Sequence, residues 1–62
     1  MNDYIKSLMS KYENEGITEL ETVIMFQNLV SSGHIWTLSD EYIKTAKALI
    51  EEGIITAEVT NG

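Results

Sequence analysis

Apolar and polar positions follow a helical period in three separate runs of this chain. Over residues 3–12, Tyr4, Ile5, Leu8, Met9 and Tyr12 recur on one stripe, while Lys6, Ser7 and Ser10 fall opposite. Asn2 or Asp3 can cap its first turn. Glu13-Asn14-Glu15-Gly16 breaks the pattern, and Asn with Gly favours a turn or a left-handed cap. Thr18 and Glu21 then stand at capping-box spacing, with Ile17 at the staple position, so a second helix is expected over about 19–31. Ser31-Ser32-Gly33 ends it, Gly33 falling at the C′ position. His34 to Leu38 reads as a short apolar connector. Ser39 is placed to cap a third helix over about 40–52, with Asp40 and Glu41 in its first turn, where the helix dipole favours anions. Its stripe of Tyr42, Ile43, Ala46, Leu49 and Ile50 is narrow. Gly53 closes it, with Ile54 placed for a hydrophobic contact to Leu49. The tail, 54–62, has β character without a second strand to pair with, and is expected to be extended or frayed. The expected architecture is all-α: one small helical domain over 1–62, a compact three-helix unit with short connections.

The second run differs from its neighbours. Leu20, Val23, Ile24, Met25, Phe26, Leu29 and Val30 cover roughly two-thirds of the helix circumference at 100° per residue. A helix apolar on most sides must be surrounded. Two short partners from the same chain leave part of it bare, so a homodimer is expected, with Met25, Phe26, Leu29 and Val30 at its interface.

Size strengthens that expectation. A domain of 62 residues buries only about 60% of the surface its unfolded chain exposes. Such domains are usually reinforced by disulfides, a metal or oligomerisation. The absence of cysteine removes disulfide and thiolate sites together, and His34 is the only imidazole. No cofactor and no metal site are therefore expected.

Charge narrows the partners. Four lysines and no arginine stand against ten carboxylates, for a net charge of −6. Phosphate-backbone binding depends on clustered cations, so nucleic acid is not an expected partner. A helix-turn-helix reading of the second and third helices fails on the same ground, since Asp40 and Glu41 would lead the recognition helix. No apolar run approaches the length of a membrane span, and the N-terminus carries neither a basic region nor an apolar segment of signal-peptide type. The expected location is the cytosol where the chain is made, with no membrane partner.

Catalytic patterns are missing. His34 follows a helix-ending glycine, where its ordinary role is to cover the last turn, and no serine sits in a nucleophile elbow. Gly16, Gly33 and Gly53 are spaced as helix punctuation and form no phosphate loop. A calcium loop around Gly16 would need Lys11 as its first ligand and Thr22 as its twelfth. The acidic stretch Glu13, Glu15, Glu19 and Glu21 is ordinarily a solvated helix start; its functional reading is a contact patch for a basic protein. Trp36 and Tyr42 are candidate anchors for the same contact, because Trp and Tyr dominate binding hot spots. The chain is expected not to be an enzyme.

The run Phe26-Gln27-x-Leu29-Val30-x-x-Gly33-x-x-Trp36-x-Leu38, followed by Tyr42-x-Lys44-x-Ala46-x-x-Leu49-Ile50-x-x-Gly53, resembles a family of very small acidic proteins encoded by tailed bacteriophages. Tyr12-Glu13 matches the end of that family's first helix, and the resemblance covers about residues 3–54. Members often carry Gln-Gly before the tyrosine and Gly-Arg after it, where this chain has Ser39-Asp40-Glu41 and Ile43-Lys44. The family has no assigned enzymatic role. What the resemblance implies is a phage-encoded protein that binds and inhibits a host protein, such as a component of an antiphage defence system of the Hachiman type. The alternatives are a structural or assembly accessory of the phage particle and a small DNA-binding regulator.

Overall fold

Asn2 opens the first helix. Its side-chain oxygen accepts a 2.8 Å hydrogen bond from the Ile5 amide, satisfying one of the free donors every helix N-terminus carries. In the computed structural model, which describes residues 2–58, helix α1 runs Asp3–Asn14, α2 Glu19–Ser32 and α3 Asp40–Glu51. A short 3-10 helix, His34–Thr37, stands where the connector was expected. No strand forms among the described residues, so the chain is an all-α three-helix unit.

Each boundary has a local cause. Thr18 and Glu21 form the complete capping box: the Glu21 amide donates to Thr18 Oγ1 at 3.1 Å and the Thr18 amide donates to Glu21 Oε1 at 3.1 Å. Gly33 ends α2 at φ +82°, a left-handed conformation that costs an L side chain about 1–2 kcal/mol. After α3 the Gly53 amide donates to the Ile50 carbonyl and the Ile54 amide to the Leu49 carbonyl, the two bonds of a Schellman motif. Ser39 occupies the cap position of α3, but its side chain makes no capping bond, contrary to expectation.

Helix α2 is the centre of the unit. It packs against α1 and the 3-10 helix, and the 3-10 helix in turn carries α3. The core joins Ile5 and Leu8 of α1, Met25, Phe26, Leu29 and Val30 of α2, and Tyr42 and Ala46 of α3. Ile35 and Ile55 complete it from outside the helical stripes. The dimer interface expected of α2 is corrected here. Met25, Phe26, Leu29 and Val30 have 0% exposure within a single chain, so no second copy can reach them. The apolar residues of α2 left outside are Leu20, 70% exposed, and Ile24, 38% exposed.

The start of the tail is tied down without becoming a strand. The Thr56 amide donates to Gln27 Oε1 at 2.8 Å, and Gln27 Nε2 donates to the Thr56 carbonyl at 3.2 Å. One side-chain amide thus pairs with the main chain as a neighbouring strand would. This clasp seats Ile55 in the core. The expected conformation of residues 59–62 lies outside the described residues.

Candidate functional site

Tyr12 is the last apolar residue of the α1 stripe, and the helix places Glu13 beside it at its C-terminal end. On α3, Tyr42 lies one turn after the Ser39 cap and turns its ring inward. Three rings then meet. Tyr12 meets Phe26 edge-on, with centroids 5.6 Å apart and planes at 84°. Tyr42 is tilted against both, at 5.6 Å from Tyr12 and 5.8 Å from Phe26. Such geometries suit the ring quadrupoles. They leave the Tyr42 hydroxyl at the surface end of its ring, where it donates a 2.8 Å hydrogen bond to Glu13 Oε2.

Around this bond lies a hollow of about 590 Å³ lined by Tyr12, Glu13, Ser39, Glu41 and Tyr42. Its walls are two tyrosine side chains, one serine hydroxyl and two carboxylates. Burial of Tyr42, its hydrogen bond to Glu13 and the Glu13 charge together raise the phenol pKa well above its ordinary range. The phenol therefore stays a neutral donor at physiological pH. A concave site with carboxylates beside ring faces attracts an ammonium or guanidinium group by charge and by cation–π contact.

The candidates read from the sequence separate in space. Glu13 and Tyr42, 29 positions apart, come together. Glu21 turns back on its own helix cap, and the backbone bond from Thr18 lowers its carboxyl pKa. Glu15 is the exposed C-cap residue of α1. Glu19 lines a second hollow of about 350 Å³, with Thr22, Val23, Leu49 and Ile54. The acidic stretch is therefore not one patch. Trp36, on the 3-10 helix, is 49% exposed and lines neither hollow.

Tyr12, Ser39 and Glu41 were not among the candidates. Periodicity puts Tyr12 on the core stripe, Ser39 at a cap and Glu41 at the helix dipole; only the packing of α3 onto α1 gathers them. His34 opens the 3-10 helix, its Nδ1 3.0 Å from Ser32 Oγ at the end of α2. Among the described residues, no three His, Cys, Asp or Glu side chains are grouped as metal ligands would be. No helix among them is long and apolar enough to cross a membrane.

No curated protein and no solved structure matches the chain. A family model described as a domain of unknown function, DUF7417, matches residues 1–61. On that match, which spans nearly the whole sequence, the chain belongs to the DUF7417 family.

Proposed function

We propose that this chain is a phage-encoded, non-enzymatic protein that binds and inhibits a host protein, a component of an antiphage defence system, in the host cytoplasm. The observation that carries the binding reading is the hollow at Tyr42. Its phenol and the Glu13 carboxylate are locked together, Glu41 stands open beside them, and the two rings supply a rigid floor. Preformed aromatic and charged concavities favour binding because little side-chain freedom is lost on contact. The net charge of −6 selects a basic partner surface. Trp36 adds a second exposed anchor on the 3-10 helix.

The proposal includes self-association, now through a different face. Leu20 and Ile24 stand four positions apart on the exposed side of α2, one turn along the helix. Sedimentation at micromolar concentration is expected to give twice the chain mass, and Leu20→Glu to return the single-chain mass. A wild-type protein that stays monomeric removes this part of the reading.

The test of the main reading is recovery of the tagged protein from infected cells. One host protein should co-purify, and expression of the chain should protect phage from the corresponding defence system. Recovery of the chain alone with no protection of phage overturns the reading. So does its stoichiometric presence in purified virions.

A further inference from the structure

Both hollows are flanked by α3, though no residue lines both. Tyr42 and Leu49 stand seven positions apart on α3, two turns, so they lie on the same stripe about 10 Å apart along the axis. The opposite walls also belong together. Tyr12 and Glu13 end α1, while Glu19, Thr22 and Val23 begin α2, with only the α1–α2 connection between them. The surface between α3 and this junction thus carries a polar, aromatic hollow at the Tyr42 end and a mainly apolar one at the Leu49 end, with the buried Ala46 between them on the α3 stripe. The charged residues lining it are Glu13, Glu41 and Glu19, and none of the four lysines lines either hollow.

We propose that the two hollows together serve as one docking groove for a basic amphipathic helix of a partner protein. A lysine or arginine of the helix sits at the Tyr42 end against Glu13 and Glu41. An aliphatic side chain seven residues away sits among Val23, Leu49 and Ile54. The spacing follows from the 1.5 Å rise per residue, which carries positions i and i+7 over about 10 Å. The charge follows from the three lining carboxylates. The helical form fits the two-turn separation of the hollows, and a helix satisfies its own backbone where the described residues present no strand edge to pair with. A second copy of this chain is a poor occupant, because it would bring another net charge of −6 to an acidic cleft.

This inference rests on the binding reading above and names the partner's chemistry. The probe is a synthetic helix-forming peptide of Ala, Gln and Lys with Arg at one position and Leu seven residues on, followed by heteronuclear NMR of the labelled protein. The expected result is saturable binding tighter than about 1 mM, with shifts at Glu13, Glu41, Thr22 and Leu49. Glu41→Gln and Ile54→Lys should each weaken it by about threefold to tenfold while helicity by circular dichroism stays unchanged. A peptide with Glu in place of that Arg should bind more weakly by a similar factor. Shifts confined to other faces, or affinity indifferent to Glu41→Gln and Ile54→Lys, overturn the groove. If those two variants instead convert a dimer to a monomer, the occupant is a second copy and the proposal fails. Host-target capture that survives both variants sinks the groove and leaves the binding reading intact; wild-type protein that captures nothing sinks that reading.

Discussion

The Tyr42 phenol donates to Glu13 Oε2 across 2.8 Å, joining the first turn of α3 to the end of α1 over 29 positions of chain. This bond fastens α3 to the end of α1 beside the packing of the Tyr42 ring on Tyr12 and Phe26. Tyr42→Phe keeps the ring and its packing on Tyr12 and Phe26 and removes only the donor. The expected loss is about 1 kcal/mol, read from urea unfolding. The variant should also leave the Glu13 carboxylate without its phenol donor and keep helicity intact.

The same phenol predicts an alkaline limit. Its folded pKa lies above the ordinary value, so its contribution to stability is complete below about pH 10, the unfolded value, and is lost as pH rises toward the folded value. Unfolding midpoints between about pH 10 and pH 12 should fall more steeply in the wild type than in Tyr42→Phe. Parallel curves would show that ionisation of this phenol is not coupled to folding.

At the acid end the group is Glu21. Its carboxyl pKa is held below the ordinary value, chiefly by the hydrogen bond from the Thr18 amide, so its contribution is present above the unfolded value and fades as pH falls. Glu21→Gln keeps an acceptor in the capping box and loses the charge. Its thermal midpoint should therefore change less than that of the wild type between about pH 6 and pH 3. Glu21→Ala should lower the midpoint at every pH in that range.

Burial along α2 makes a sharp contrast. Leu29→Ala should cost about 2–5 kcal/mol, a large share of the total stability of a 62-residue domain, whereas Leu20→Ala should stay within about 0.5 kcal/mol. Circular dichroism melts of the two variants check it. Equal effects would mean that Leu20 is buried in solution, which is also what self-association through that face would produce at high concentration.

The Gln27 clasp predicts a local effect. Gln27→Ala removes both the acceptor of the Thr56 amide and the donor to its carbonyl. Hydrogen exchange at Thr56 should accelerate strongly, while amides in the middle of α2 keep their protection. Loss of protection throughout α2 would instead assign Gln27 a role in the core.

The helices and their ends were legible because they are local. Capping at Asn2, the Thr18–Glu21 box, the left-handed Gly33 and the Schellman bonds at Gly53 and Ile54 each involve residues within five positions. Helical period also located most of the core, including Phe26, Leu29 and Ala46. It could not find Ile35 or Ile55, since single apolar residues in short non-periodic segments carry no phase to read.

Which part of α2's broad apolar surface would be covered was decided by tertiary packing. Period gave Leu20 and Leu29 equal claims; α1 and the 3-10 helix reach only one side of the helix, and so Leu29 is enclosed and Leu20 is bare. The candidate site has the same origin. Glu13, Glu15, Glu19 and Glu21 are neighbours along the chain, yet the turn at Gly16 and the cap at Thr18 aim them in different directions. Tyr42 chooses Glu13 among them because α3 comes to rest beside the end of α1. Short-range hydrogen bonding and helical period are written into adjacent residues; the pairing of distant ones depends on how three helices settle around a shared core.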